Sequence, residues 1–362
     1  MFGQEKMQNN MKKSIFNPLC VLAAGILWGC MGLLVRSMNP CGFTSMEVVI
    51  FRAIVTSVLM AIIMAIFKRD GLKVKWKDLW CFLGTGIASM VLFNFCYFSC
   101  MKYTTLSVAA ILLYTAPAFL MIMSAIFFKE KFTVMKVLCL VATFVGCVLV
   151  SGGLPIPGLS GLSTITDVTT AAPDTAIIGG ADGPTAIFLA GELGKHAEES
   201  VADGVTTGIA AGVLSLPGLL LGLGAGFGYA LYSVFSRFAI KRGYSSFTIT
   251  TYTFWFATLG CAPFINWPHF VKTIGASAGK LPLFLLLTIM TTILAYLLYT
   301  KGLEGMENGM AGIIASIEPV MASIVGVVVF HEKLTITGII GMVLVLGACA
   351  LVSLPARKKA GG

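Results

Sequence analysis

Apolar runs of about twenty residues, broken by short polar or basic segments, recur along almost the whole chain. Each run approaches the length a helix needs to cross a bilayer. Windows of about 19 residues predict helices near 18–38, 45–67, 79–100, 104–128 and 134–152. A second set is predicted near 219–240, 246–266, 281–300, 308–330 and 336–354. Between the sets lies a segment of different character, rich in Gly, Thr and acidic residues. The predicted fold is therefore all-α and integral to a membrane, with ten transmembrane helices. The predicted parts are an N-terminal tail over 1–17, five helices over 18–153, an insert over 154–218, five helices over 219–354, and a basic tail over 355–362.

The two sets resemble each other. "YTAPAFLMIMSAIFFKEK" (114–131) aligns without a gap to "SIEPVMASIVGVVVFHEK" (316–333), placing Pro117 on Pro319 and Glu130 on Glu332. "AGILWGCMGLLVRS" (24–37) aligns to "AGFGYALYSVFSRF" (225–238), placing Trp28 on Tyr229 and Arg36 on Arg237. A unit of five crossings enters on one side and leaves on the other, so two such units are inverted relative to each other. Inverted repeats around a midplane site are a transporter architecture.

Composition agrees with a membrane chain. It is 57% hydrophobic and only 11% charged, far from the balance of a soluble domain. The net charge of +9 does not point to nucleic acid, because the basic residues sit in short clusters between apolar runs. With the N-terminus inside, most of them fall on the inner side, including Lys68–Lys77, Lys129–Lys136, Arg237–Arg242 and Arg357–Lys359. That bias predicts both termini on the cytoplasmic side of an inner or plasma membrane. The ten cysteines have no metal or disulfide spacing, and neither a Ser/His/Asp set nor a zinc motif is present. No metal, cofactor or enzymatic activity is expected. A monomer or a homodimer fits equally.

The doubled Pro-to-Glu-Lys block, Trp28-Gly29, Arg52 and Glu318-Pro319 together resemble the drug/metabolite transporter superfamily, in its ten-helix EamA type. The resemblance covers 18–153 and 219–354. It implies alternating-access movement of small organic solutes, often export, through a central cavity.

Several residues are candidates for that cavity. Glu318 lies about ten residues from either end of its run, near the midplane, where a carboxylate costs at least ~2.5 kcal/mol and is usually kept for a pathway, a partner or a proton. Substrate-amine recognition, proton exchange and a purely structural carboxyl all remain open for it. Pro117 and Pro319 each remove a helix hydrogen bond, which predicts bends. Arg52 could meet a substrate carboxylate, or could snorkel or pair with Glu47. Asn94, Tyr97, Tyr114, Trp28, Tyr229, Tyr232, Trp255, Tyr296 and Tyr299 supply polar or aromatic groups, each of which reads more readily as packing or interface belt than as a ligand contact. "LGLGAGFG" (221–228) spaces glycines four apart, a helix-packing pattern rather than a dinucleotide loop.

The insert holds "IIGGADGPTAIFLAGELGKH" (177–196), which resembles a segment of the beta subunit of sodium-pumping biotin-dependent decarboxylases. That resemblance implies a role in sodium translocation for Asp182. Thr185 is a further oxygen donor for such a site. The alternatives are a decarboxylase pump subunit, a sodium-coupled variant of the transporter, or an external insertion without a transport role. Proton and sodium coupling both stay open. The orientation makes a prediction. Cysteines introduced by Asp167→Cys or Glu198→Cys should react with a membrane-impermeant thiol reagent from outside the cell, and reaction only from the cytoplasm would reverse the topology.

Overall fold

The structure is a computed structural model that describes residues 2–151 and 215–353, apart from 105 and 333. The described residues are helical with no strands. A helix in lipid satisfies its own backbone, which is why apolar runs of this length take that form. The first half contains α1 (Phe2–Gly29), α2 (Met31–Met38), α3 (Ser45–Phe67), α4 (Leu79–Leu83), α5 (Leu92–Cys100), α6 (Leu106–Leu113), α7 (Ala116–Phe128) and α8 (Val134–Val150). The second contains α9 (Leu216–Lys241), α10 (Ser246–Cys261), α11 (Trp267–Ala276), α12 (Leu281–Thr288), α13 (Ala295–Leu303), α14 (Asn308–Ala315), α15 (Glu318–Phe330) and α16 (Ile336–Ser353).

Eight helical segments among the described residues are long and apolar enough to cross a membrane: 16–41, 45–67, 76–100, 108–128, 216–241, 278–303, 308–330 and 336–353. The other two expected positions are also helical but shorter, at Val134–Val150 and Ser246–Cys261. The first helix runs back to Phe2, well ahead of the boundary expected at 18. The insert over 154–218 falls almost wholly outside the described residues.

Helix starts follow local chemistry. Thr44 and Glu47 form a reciprocal capping box at α3, and Ser215 and Ser245 cap α9 and α10 through their side chains. Two spans carry a π-helical stretch at their middle, Gly84–Val91 and Ile289–Leu294. Two others are broken. The span over 108–128 is interrupted between α6 and α7, and that over 308–330 between α14 and α15. In each, a proline follows the break within the first two positions of the new helix. Proline has no N–H to give and fits a first helical turn, so the chain restarts there.

The broken spans run in opposite directions. Asn308, at the start of one, donates its backbone N–H to Glu130, just past the end of the other, at 2.9 Å. Each break is approached closely by a glycine from the other half of the chain. A Cβ on Gly25 would lie 2.6 Å from Ile317 Cγ2 and 3.0 Å from the Ala315 carbonyl oxygen. A Cβ on Gly29 would lie 2.7 Å from the Glu318 carbonyl oxygen. Gly226 stands in the same relation to the first break, 2.6 Å from Thr115 Oγ1 and 3.1 Å from the Leu112 carbonyl oxygen. Small residues let helix backbones meet this closely in lipid, as the glycine spacing predicted. Gly29→Ala should therefore destabilise the detergent-solubilised protein by about 1–3 kcal/mol. Gly275→Ala, with open space around its Cβ, should be neutral or gain up to about 1 kcal/mol. Equal unfolding midpoints for the two variants would contradict the close approach.

Candidate functional site

The two breaks meet at a small cavity. Its walls are Leu113, Tyr114, Ala116 and Pro117 from the first broken span, Gly312, Ala315, Ser316 and Glu318 from the second, and Tyr229 from α9. Its volume is about 20 Å³, room for about one water. Of the residues singled out from the sequence, Tyr114, Pro117, Tyr229 and Glu318 line it.

Glu318 is fully buried and is the first residue of α15. A span from Asn308 to Phe330 is about 35 Å long at 1.5 Å per residue, so Glu318 lies near its middle. A carboxylate in the first turn faces the positive end of the helix dipole, which offsets part of the cost of its charge. The break also frees backbone groups that lipid could not serve, and nearby side chains take them up. The Ser316 hydroxyl donates to the Gly312 carbonyl at 3.0 Å and the Thr115 hydroxyl to the Leu112 carbonyl at 2.6 Å. The Cys349 thiol lies 3.4 Å from the Ile313 carbonyl oxygen. Polar side chains thus hold the backbone, and Glu318, Tyr114 and Tyr229 are among the residues that line the cavity.

The remaining candidates lie elsewhere. Trp28 is fully buried and packs on Tyr296 at 5.5 Å and Tyr299 at 5.0 Å between ring centroids. Tyr232 completes that cluster, 5.1 Å from Tyr296, and bonds the Thr300 hydroxyl at 2.8 Å. Tyr299 bonds the Ser233 hydroxyl at 2.7 Å. This aromatic block joins α1, α9 and α13 rather than walling the cavity. Tyr97 is stacked on Phe93 in α5. Asn94 turns its amide back to the Met90 carbonyl at 2.7 Å. Trp255 donates to the Ser57 carbonyl at 3.2 Å.

Arg52 is buried and donates from Nε to the Thr292 hydroxyl at 2.9 Å, within the second π-helical stretch. Glu47 is taken by other partners. It accepts from the Thr44 N–H at 2.8 Å and sits 2.7 Å from His269 Nδ1 in α11. Glu47, the local acid considered for Arg52, thus also serves the helix cap and His269. Asp182 and Thr185 lie outside the described residues. Among the described residues, no group of three or more His, Cys, Asp or Glu could hold a metal ion.

Sequence reasoning missed Ser316, which the doubled block put in place of Tyr114 without marking it as a wall. It also missed both π-helical stretches, for which Gly84-Thr85-Gly86 and Thr291-Thr292 were the only visible irregularities.

Residues 16–152 and 216–354 each match the EamA-like transporter family. The chain belongs to that family. It is 23% identical over 336 residues to an uncharacterized transporter of Archaeoglobus fulgidus, covering 93% of this chain and 96% of the relative. It is 26% identical over 151 residues to the uncharacterized transporter YwfM of Bacillus subtilis, covering 40% of this chain and 48% of that one. One crystal structure shares the fold at 16% identity and a TM-score of 0.61, covering 92% of this chain and 95% of the other. The two family matches fall on the two halves that resemble each other in sequence. The protein is a multi-pass membrane transporter.

Proposed function

We propose that the protein is a secondary transporter that exports small organic metabolites or drugs across the cytoplasmic membrane by alternating access, with proton coupling through Glu318. The machine is two inverted five-helix repeats, ten crossings in all, with both termini in the cytoplasm. The carrying observation is the meeting of two antiparallel, proline-restarted spans at one buried carboxylate.

Several features support the inversion. Ser57 and Thr258, equivalent residues 201 positions apart, bond each other at 3.0 Å, as expected of groups near a pseudo-two-fold axis. Gly146 and Gly341 pack face to face between α8 and α16. Gly25 on the second break mirrors Gly226 on the first. In such an arrangement the two halves can exchange shapes, and a site between them opens to one side at a time. A midplane carboxylate in a cavity also lined by two tyrosines suits a solute with an amine or hydroxyl, or a proton taken in exchange. The sodium-coupled reading rests on Asp182 and Thr185 and draws on none of the residues described here.

The test is uptake by the purified protein in sealed vesicles, with a panel of small organic solutes and an imposed proton or sodium gradient. At least one solute should move with the proton gradient. Glu318→Gln should cut that rate about tenfold or more, the loss of one charge-assisted hydrogen bond, and flatten its pH dependence. Wild-type rates at every pH with Glu318→Gln would reduce Glu318 to a structural residue. Flux driven by sodium alone, and abolished by Asp182→Ala, would favour the sodium reading.

A further inference from the structure

The equivalent residues Arg36 and Arg237, and the equivalent Glu130 and Glu332, pair crosswise. Arg36 Nη2 lies 2.7 Å from Glu332 Oε1, and Arg237 Nη2 lies 3.7 Å from Glu130 Oε1. Each pair joins the first span of one half to the turn just past the broken span of the other. The pairs lie at opposite ends of the bundle. Glu130 accepts from the backbone N–H of Asn308, where the span 308–330 begins, and Glu332 follows where that span ends. About 35 Å of helix separates them.

The turns that present the two glutamates are the same. Lys129 (φ 56°) and His331 (φ 58°) are the only non-glycine residues with positive φ among those described. A left-handed conformation costs such residues roughly 1–2 kcal/mol each, so its appearance at both equivalent positions needs a return. In both turns the glutamate N–H reaches back to a carbonyl six residues earlier, Ser124 for Glu130 and Gly326 for Glu332. In both, an aromatic ring that ends the helix carries a cation. Arg36 lies 3.8 Å over Phe330, and Lys241 lies 4.5 Å over Phe128. All four paired side chains are largely buried, at 13% and 26% exposure in one pair and 15% and 10% in the other.

We propose that these two ion pairs are the gates of the transporter, one at each end, and that opening either side requires breaking its own pair while the other holds. The cavity lies between them, and with both pairs made it has room for about one water. The ends are not equally tied. At the Glu130 end, Arg237 also donates to the Leu303 carbonyl, Glu130 accepts from the Asn308 and Gly309 N–H groups, and Lys136 pairs with Glu307. The Arg36–Glu332 end has its ion pair, the Phe330 contact and, between the halves, Glu47 at 2.7 Å from His269. That end opens first, and the solute leaves or enters there at lower cost. With the N-terminus inside, it is the outer end.

This inference rests on the alternating-access reading, but its test needs no transport. A cysteine placed by Ser316→Cys reports access to the cavity through its reaction with an impermeant methanethiosulfonate, applied to right-side-out and to inside-out vesicles. The parent chain measures the background from native cysteines. Arg36→Gln should raise the labelling rate from the side bearing residue 36 on the order of tenfold, which corresponds to about 1.4 kcal/mol. Labelling from the opposite side should fall. Arg237→Gln should do the reverse. Combining Arg36→Glu with Glu332→Arg should return both rates to those of the parent, which separates lost pairing from lost folding. Where Arg36→Gln does not fold, Glu332→Gln removes the same pair. Rates unchanged by the single substitutions, or raised from both sides alike, would overturn the proposal. So would a charge exchange that folds yet fails to restore them. Transport may fail in every solute tested while this pattern holds, and the converse, so the two readings stand or fall separately.

Discussion

Everything in the structure depends on how two interrupted helices are held where their backbones lack helical partners. In lipid an unserved N–H or carbonyl costs several kcal/mol, so a break at mid-membrane must be covered by protein. Here each break is covered by a glycine-bearing face of the other half: Gly25 and Gly29 lie over the second break, and Gly226 over the first. The hydroxyls of Thr115 and Ser316 and the thiol of Cys349 take up carbonyls around them. Neither half could keep its broken span alone. Two breaks secured in this way bring Glu318, Tyr114 and Tyr229 to one point, and the cavity follows from the packing.

The same reciprocity reaches the ends of the bundle. Residues that match in the sequence are not merely alike. They touch each other, as Ser57 touches Thr258, or they exchange partners, as Arg36 and Arg237 do with the two glutamates. Under the alternating access proposed above, each end opens by breaking its own crosswise pair, and the less tied Arg36–Glu332 end opens at lower cost. The left-handed residues before both glutamates close the two helix ends alike, each turn returning the glutamate N–H to a carbonyl six residues earlier.

Much of this was legible from the chain. Hydropathy placed helix at each of the ten expected positions, since lipid leaves an apolar run of that length little choice, but it missed that the first helix runs back to Phe2. Pro117, Pro319 and the four-residue glycine spacing pointed to the breaks and the close contacts. The cavity was less legible. Trp28, Tyr232, Tyr296 and Tyr299 were candidates for the cavity with packing the favoured reading of each, and they bury against one another; periodicity does not reveal which face meets which helix. Arg52 bonds Thr292 on a helix far along the chain, a contact set by tertiary approach. The crosswise ion pairs were hidden in the alignment itself, which set Arg36 beside Arg237 and Glu130 beside Glu332 without showing that the partners cross over.

The central claim is that the halves move as inverted equivalents around the shared cavity. The direct measurement is a pair of distances between nitroxide labels in the reconstituted protein, one between 131 and 241 at one end and one between 40 and 334 at the other. The account predicts broad distributions in which conditions that lengthen one distance shorten the other. Two distances that stay fixed, or that lengthen together, would contradict it.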